Sequence, residues 1–377
     1  MKLEQNKWSE SALWDNVPEM SFTADLVLVF GKRQLLENTD RFDEIRSFYP
    51  AADIVLCSTA GEILDIEVFD DTIVTTAIQF EKTVIKTRQL SISDNWTSDS
   101  DLGKELATLF PQEHLSHVLL LSHGLNVNGT RLIEGMKSEL NQDVSISGGL
   151  AGDGPDFVKT VVGLNATPSE NKVVAVGFYG GSIKVGYGSF GGWDTFGHTR
   201  RITRSEENVL FELDGKPALD LYKNYLGEKA KDLPASGLLF PLSIKTDENA
   251  SDELVRTILS VNEEEKSLTF AGDIPEGGEA RLMKANFESL YEGASKAAEN
   301  SISILKDKAQ LALLISCVGR KLILKQHTED EVESVREVIG EEAMMTGFYS
   351  YGELGPDRQG DSCYLHNQTM TITLFSE

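Results

Sequence analysis

Three acidic residues in this chain of 377 residues follow the same local pattern. Glu62, Asp153 and Glu353 each come after a run of apolar or β-branched residues that ends in a glycine, in the sequences IVLCSTAGEI, VSISGGLAGDG and MMTGFYSYGELGP. Glycine supplies the backbone freedom that a tight loop needs, so each pattern predicts a buried strand that ends in a loop with a carboxylate. Such a carboxylate can hold a ligand amine, or it can accept hydrogen bonds from its own loop. The three copies favour a structural role that all of them share.

The third copy has the most polar neighbours, so we predict that the ligand site lies there. Open α/β sheets place ligand sites just past the ends of their strands, which is where this carboxylate lies. The predicted ligand-binding residues are Arg320, Tyr349, Tyr351, Glu353, His366, Asn367 and Trp193, with Ser350 and Arg358 close by in the sequence.

Two residues of this set have complementary charges. A guanidinium can hold a carboxylate through two hydrogen bonds, so we expect Arg320 to bind a ligand carboxylate and Glu353 a ligand amine. The alternatives are a salt bridge from Arg320 to one of the many surplus acids and a cluster that only stabilises its loop. We place the pocket between the two halves of the chain, against residues 188–201, because pockets commonly form where domains meet.

Cysteine and histidine side chains offer other chemistries. Cys317 precedes Gly319-Arg320, and a cation near a thiolate can activate it as a nucleophile, but no histidine stands at a recognisable partner spacing. A buried free cysteine is more often a small apolar residue. The six histidines include no HxH or HExxH pair, so we predict no metal site. A haem needs one imidazole and an apolar slot, and His198 beside Trp193 fits that description best. The alternative for each histidine is a structural role.

The charge balance excludes two classes of partner. The chain has 60 acidic and 35 basic residues and a net charge of −25, whereas nucleic acids and anionic membranes bind basic surfaces. No apolar run approaches the roughly 20 residues of a membrane span, and the first residues do not read as a signal peptide. Three scattered cysteines without a CxxC pair indicate a reducing cytoplasm.

Another apolar strand precedes each acidic turn by about thirty residues, at 26–31, 118–124 and 311–319. A helical segment fills each gap, so we predict a unit of strand, helix, strand and acidic turn that is used three times. The fold class is therefore mixed α/β, with two related domains built from such units.

The domain boundaries follow from composition. Residues 1–21 are polar with two tryptophans and are predicted to form an irregular N-terminal arm. The segment 188–214 is rich in glycine and aromatic residues and is the candidate linker, so the domains are 22–214 and 215–377. We further predict a hairpin of strands 72–80 and 83–92 that turns at Glu81-Lys82.

Seven motifs, in order, resemble the FIST family of bacterial sensory proteins, which have paired N-terminal and C-terminal FIST domains. They are CSTAGEI, SGGLAGDG, GWDTFG, ELDGKPALDLY, SCVGR, GFYSYGELGP and LHNQTMTIT, and they cover the chain from about residue 22 to its end.

The resemblance implies an intracellular protein that binds a ligand and signals through a separate partner. The implied ligand is either a small metabolite such as an amino acid or, as in the members called NosP, haem b that senses nitric oxide. The implied partner is a histidine kinase or a cyclic-di-GMP enzyme. We expect no enzymatic activity, and the alternative is a cysteine-dependent hydrolase or transferase that uses Cys317.

Overall fold

The computed structural model describes residues 1–15, 22–93, 96–233, 235–245, 254–284, 286–356 and 362–377. Arg358, which the sequence places near the third acidic turn, lies outside these ranges. The chain is 27% helix and 42% strand, and the prediction of a mixed α/β class is confirmed. None of the described helices is long and apolar enough to cross a membrane.

The elements alternate along the whole chain. In the first quarter they are β1 (Lys2–Ser9), β2 (Leu13–Trp14), β3 (Leu26–Gly31), α1 (Arg33–Leu36), α2 (Thr39–Phe48), β4 (Asp53–Ser58), β5 (Glu62–Leu64), β6 (Glu67–Phe69), β7 (Thr72–Gln79) and β8 (Val84–Ser91). The next elements are α3 (Asp99–Thr108), β9 (Leu115–Ser122), α4 (Gly129–Glu139), β10 (Ser145–Leu150), β11 (Val162–Leu164), β12 (Lys172–Tyr179) and β13 (Lys184–Phe190).

A further run of strands, with one helix, follows and leads into the last helices. The strands and helix of this run are β14 (Asp194–Glu206), β15 (Val209–Leu213), β16 (Lys216–Pro217), α5 (Ala218–Leu226), β17 (Leu242–Lys245), β18 (Leu254–Arg256), β19 (Ile258–Asn262), β20 (Ser267–Phe270) and β21 (Glu279–Lys284), with 3-10 helices at Gly227–Asp232 and Ala235–Leu239. The last elements are α6 (Phe287–Leu305), β22 (Leu311–Cys317), α7 (Val318–Leu324), a 3-10 helix at Lys325–His327, α8 (Thr328–Ile339), β23 (Met344–Ser350), β24 (Gly352–Gly355), β25 (Tyr364–His366) and β26 (Met370–Ser376).

The predicted unit of strand, helix and strand occurs three times. The pairs β3–β4, β9–β10 and β22–β23 are each parallel neighbours, and α2, α4 and α8 make the crossovers. Polar side chains cap two of the helices, Ser98 at the start of α3 and Asn128 at the start of α4. Each unit lies at the centre of its own six-stranded sheet.

The three sheets exchange strands after every acidic turn. From the first turn β5 joins the third sheet, from the third turn β24 joins the second sheet, and from the second turn β11 joins the first sheet. The predicted 72–92 hairpin is wrong for the same reason, because β7 stays in the first sheet while β8 pairs with β12 of the second. The carboxylate of Glu377 accepts hydrogen bonds from the backbone N–H groups of the connecting turn, at 2.6 Å from Glu81 and 2.7 Å from Lys82.

The packing layers follow from this exchange. The inner faces of the three sheets share one hydrophobic core, to which Leu28, Leu121 and Ile315 contribute from the three first strands. The outer faces carry the helices, with α3 and α4 on the second sheet and α6 and α8 on the third. Successive residues of a strand point to opposite faces, so strands buried on both sides read as continuous apolar runs.

Two predictions about irregular segments are wrong. The N-terminal arm contains β1, which pairs with β7 over eight residues and with the short edge strand β2, because pairing satisfies the backbone of a polar segment whose side chains can still reach water. The expected linker, 188–214, forms parts of β13, β14 and β15. Strands β14–β21 build a separate eight-stranded sheet with its own core, which runs across the predicted boundary near Gly215. That boundary stays a prediction.

Candidate ligand-binding cleft

The three acidic turns meet at one end of the molecule. The backbone N–H of Ala60 donates to the carbonyl of Tyr349 at 2.8 Å, and the N–H of Gly152 donates to that of Ser58 at 2.8 Å. Tyr351 N–H closes the group with a bond to the carbonyl of Leu150 at 3.1 Å. The parallel strands of all three units therefore deliver their carboxyl ends to one place, which is where α/β proteins build sites.

All three carboxylates are buried, and those of Glu62 and Glu353 hold their own turns. Glu62 accepts hydrogen bonds from the hydroxyl groups of Thr59 and of Thr72, at 2.5 and 2.6 Å. Glu353 repeats the arrangement with the hydroxyl groups of Ser350 at 2.6 Å and of Thr369 at 3.0 Å. In each case one donor lies three residues before the acid. The other donor is Thr72 at the start of β7 for Glu62, and Thr369 just before β26 for Glu353.

Burial changes the acidity of both groups. It raises the pKa of Glu62 to about 7 and that of Glu353 to about 8, although the hydroxyl donors act in the opposite direction. These carboxyl groups are therefore largely protonated at a pH at which an ordinary glutamate is ionised. A neutral acid that already binds two hydroxyl groups is a poor partner for a ligand amine.

The third carboxylate, Asp153, holds a loop instead of a turn. One oxygen accepts from the backbone N–H groups of Val158 at 3.1 Å and Lys159 at 2.8 Å, and the other accepts from the hydroxyl of Tyr351. The same hydroxyl accepts from the N–H of Phe157 at 3.2 Å, and the two rings stack 4.3 Å apart. Asp153 thus fastens the loop 154–158 to the third unit.

This loop borders a charged compartment of about 620 Å³. The Nζ atom of Lys321 donates to the carbonyl of Ala60 at 2.9 Å and to Asp70 at 2.5 Å, and Lys32 pairs with Asp71. Gly61, at φ +138°, leaves the space that the Lys321 ammonium fills, because a Cβ there would lie 2.2 Å from Nζ. The charged side chains of the wall are Lys32, Lys321, Lys325, Glu62, Asp70, Asp71, Asp153 and Asp156.

On the other side of the loop lies an apolar compartment of about 830 Å³, between the second unit and the eight-stranded sheet. Polar groups such as Asn126, Glu207 and Asn208 lie among its lining residues. Its apolar wall consists of Leu125, Val127, Leu150, Phe157, Leu238, Ile258, Leu259, Phe270, Leu322 and Tyr351. Pro155 and Leu322 line both compartments, so the two spaces adjoin and form one cleft.

Several wall residues of the cleft are exposed although they are apolar. Leu259 is 46% exposed and Phe157 is 37% exposed, and both come from segments on opposite sides of the apolar compartment. An apolar concave surface with few polar groups is the usual character of a small-molecule site. The cleft can therefore take an apolar group on one side of Pro155 and a charged group on the other.

Two family models cover most of the chain. The FIST N domain matches residues 25–216, and the FIST C domain matches residues 218–356. The chain belongs to the FIST family. The resemblance predicted from the seven motifs is confirmed, and FIST domains are signalling-related sensors of small ligands.

Other likenesses of this FIST protein are remote. No curated protein matches it. A chorismatase structure is 10% identical with a TM-score of 0.36 and covers 100% of this chain and 98% of its own. A cyanuric acid hydrolase from A. caulinodans is 8% identical with a TM-score of 0.34 and covers 99% of this chain and 98% of its own. At such TM-scores neither likeness carries an argument about this FIST protein.

Arg320 is not available to a ligand in this FIST protein. Its side chain is fully buried, and Nε donates to Glu331 at 2.5 Å. The Nη atoms donate to the backbone carbonyls of Leu290 at 2.7 Å, of Gln368 at 3.3 Å and of Gly191. The guanidinium is therefore saturated, and the alternative of a salt bridge describes it.

The other predicted ligand-binding residues divide into two groups. Tyr351 lines the apolar compartment, and its role in binding stays a prediction. The other predicted residues bind the protein itself. The Tyr349 hydroxyl donates to Glu331 at 2.9 Å, and Trp193 Nε1 donates to the carbonyl of Gln368 at 2.8 Å. His366 Nε2 donates to the carbonyl of Gly355 at 2.8 Å. Asn367 is buried in the β25–β26 turn, and Glu353 holds its own turn as described above.

His198 does not fit a haem group. It lies exposed on β14, and the cavity that it lines with neighbouring strands is only about 20 Å³. The structure places it away from Arg320, because β14 belongs to the eight-stranded sheet. Cys317 is buried, and burial raises the pKa of its thiol above the usual range, which removes the thiolate that a nucleophile needs.

Five residues of the cleft that sequence reasoning missed are instructive. Lys321 and Leu322 follow Arg320 directly, and a helical period through Val318 would have placed them on one face. Pro155 and Phe157 follow the second acidic turn, whose Gly-Pro sequence signals a loop where the other two turns lead into strands. Leu259 gave no signal, since only the tertiary fold brings β19 to the second unit.

Proposed function

We propose that this FIST protein is a sensor that binds a small metabolite with an apolar body and a zwitterionic head, for which an apolar amino acid is the simplest example. The observation that carries the proposal is the cleft itself, in which an apolar cavity of about 830 Å³ adjoins a compartment lined by charges of both signs. Pro155 and Leu322 mark the line between them.

The apolar compartment supports an apolar body for the ligand. Burial of apolar surface contributes about 25 cal/mol per Å², and the exposed rims of Leu259 and Phe157 supply such surface from both sides. The stacked rings of Phe157 and Tyr351 present a flat wall. An aromatic or branched side chain packs well against a wall of this kind.

The charged compartment supports a head with both signs. Lys32 and Lys321 can each turn from its aspartate to a ligand carboxylate, and Asp70 or Asp71 can then accept from a ligand ammonium. These aspartates are exposed and their ion pairs are weak in water, so exchange of partners costs little. A ligand with a single charge would leave one sign of this wall unpaired.

Haem is the other ligand that the resemblance implies. Among the described residues, no histidine lines either compartment of the cleft, and the surroundings of His198 are too small for a porphyrin. We therefore favour the metabolite. Buried Cys317 likewise gives no support to a cysteine-dependent hydrolase or transferase, so we propose a binding protein and not an enzyme.

The signalling output completes the proposal. Because FIST domains are signalling-related sensors, we propose that the ligand-bound protein acts on a separate partner such as a histidine kinase or a cyclic-di-GMP enzyme. None of the three cysteines forms a disulfide, which favours a reducing cytoplasm as the place where it acts.

Isothermal titration with the twenty amino acids tests the proposed function. Leucine, phenylalanine and similar amino acids should bind. Glycine has no apolar side chain to bury, and an uncompensated charge is excluded from an apolar site, so glycine and the charged amino acids should bind at least about tenfold more weakly. Leu259→Asp should weaken binding by a similar factor. Val84→Asp, at a residue 57% exposed on β8 outside the cleft, is the matched control and should bind like the wild type. Binding of no amino acid, or equal loss in both variants, would contradict the proposal.

A further inference from the structure

Helix α7 has two faces with different surroundings. Val318, Lys321 and Leu322 line the cleft, and Lys325 continues the same helical face just past its end. Arg320 points the other way and is fully buried. One turn of helix thus contacts both the space for a ligand and the interior of the third unit.

The buried side of α7 is tied to the helix layer by Arg320. Its Nε donates to Glu331 of α8, and its Nη2 donates to the carbonyl of Leu290 in α6. The second oxygen of Glu331 accepts from the hydroxyl groups of Ser316 at 3.1 Å and Tyr349 at 2.9 Å, on β22 and β23. This network joins α6, α7 and α8 through polar groups that cannot be separated cheaply inside the protein.

A second contact connects α7 to the same region. Gly319 lies against the side chain of Gln368, and a Cβ at Gly319 would lie 2.4 Å from the Gln368 amide nitrogen. The carbonyl of Gln368 accepts from both Arg320 and Trp193. A movement of α7 therefore presses on this turn and on the Arg320 network together.

We propose that α7 carries ligand occupancy from the cleft to α6 and α8, with Arg320 as the coupling residue. The inference rests on the proposed function in one respect, namely that a ligand fills the cleft. A group beside Leu322 favours the position of α7 that makes room for it, and the Arg320 network transmits that preference to both helices. Coupling of this kind is reciprocal, so a change in the network also changes affinity at the cleft.

The coupling can be tested without any natural ligand. Leu322→Cys places a thiol on the cleft face of α7, and alkylation with N-phenylmaleimide fills the apolar compartment covalently. The native cysteines are buried, and burial raises the pKa of the Cys57 and Cys317 thiols, so the new thiol reacts first. Intact mass confirms the single adduct, and hydrogen exchange is then compared before and after alkylation.

We expect alkylation to change the exchange rates of α6 and α8 by about fivefold or more, the lower end of measured allosteric couplings. The first control is α2, which packs on the first sheet and should not respond. The second is Val84→Cys with the same label, which should leave α6 and α8 unchanged. Adding Glu331→Gln, which keeps size but removes the charge that Arg320 holds, should abolish the response of the two helices.

Two outcomes would overturn the inference: exchange that changes only in residues 318–325, or a response that survives Glu331→Gln in a chain whose melting temperature shows that it is folded. Should Glu331→Gln not fold, Tyr349→Phe takes its place, since it removes a hydroxyl that holds Glu331; the response of the two helices should then weaken, and an undiminished response would overturn the inference. Failure of the proposed function is a separate result, because the titration with amino acids can fail while the alkylated chain still responds.

Discussion

The acidic turns at Glu62 and Glu353 and the one at Asp153 share a sequence pattern but differ in what they do. The turns at Glu62 and Glu353 bury a carboxyl group that accepts hydrogen bonds from two neighbouring hydroxyl groups. At the other turn, the carboxylate of Asp153 binds a loop that forms a wall of the cleft. All three turns border the cleft, but two of the acids hold their own turns and only Asp153 fastens a loop of the cleft wall.

The residues after each acid explain the difference. Strand β5 begins at Glu62 itself and β24 contains Glu353, so these carboxyl groups are held inside a sheet. Asp153 is followed by Gly154 and Pro155, and proline has no N–H to give to a ladder. The next strand begins only at residue 162, and the intervening loop is free to line the cleft.

Removal of the carboxyl groups should separate the two kinds of turn most strongly. Glu353→Ala leaves two buried hydroxyl groups without their acceptor and should lower the free energy of unfolding by about 3 kcal/mol. Asp153 is also buried but borders the cleft, where water can reach the donors that lose their acceptor, so Asp153→Ala should cost about 1 kcal/mol. Urea denaturation measures both, with Glu228→Ala on an exposed 3-10 helix as the control. Equal losses at the two positions would remove the distinction.

The pH dependence of stability should identify the buried pair. A carboxyl group whose pKa is raised on folding binds its proton more tightly in the folded state, so stability falls as pH rises toward the folded pKa. With pKa values of about 7 for Glu62 and about 8 for Glu353, the free energy of unfolding should fall by about 2 kcal/mol between pH 6.5 and pH 8. Buried His117 has a lowered pKa of about 3 and opposes this trend only below its unfolded value near 6.5.

The matched variant for this prediction is Glu353→Gln, which cannot ionise. Its unfolding free energy should vary less over the same pH range than that of the wild type. Chemical denaturation at four pH values is sufficient. A slope that is unchanged in Glu353→Gln would assign the effect to other groups.

Two tyrosines of the third turn should differ in whether their loss affects ligand binding or stability. Tyr351→Phe removes the hydroxyl that joins Asp153 to the loop and should weaken amino-acid binding by about tenfold, the equivalent of one hydrogen bond. Tyr349→Phe removes a buried bond to Glu331 and should lower stability by about 1.5 kcal/mol. Its effect on affinity should be smaller. Titration and urea denaturation of both variants give the contrast, and a reversed order would count against the cleft.

The smallest effect is expected at His198. Because this side chain is exposed, His198→Ala should change stability by less than about 0.5 kcal/mol. It should also leave amino-acid affinity unchanged, and the wild type incubated with haem should show no Soret band from a bound group. A Soret band that disappears in His198→Ala would restore haem as the ligand.

The repeat could be predicted because it depends on local patterns. Apolar runs and glycine turns occur within a few residues of one another, and they located all three units. The exchange of strands could not be predicted in this way. The residues of β8 read as the second arm of a hairpin with β7, and nothing local shows that the partner is β12, about ninety residues later in the chain.

The site was only partly predictable for a similar reason. The polar residues of the third turn were expected to face a ligand, but Arg320 and Tyr349 face Glu331, whose position on α8 the sequence does not relate to them. Whether a polar side chain binds a ligand or the protein depends on which side of α7 meets a cavity. That side is fixed by packing between units and not by spacing within one.

A crystal structure of the protein with its tightest-binding amino acid is the most direct test of whether the cleft beside Pro155 and Leu322 binds the ligand. We expect the ligand to lie between α7 and the loop 154–158, with its side chain beside Tyr351 and Leu259 and its head near Lys321. A ligand beside Trp193 and Arg320, or one bound on the surface away from Pro155, would contradict it.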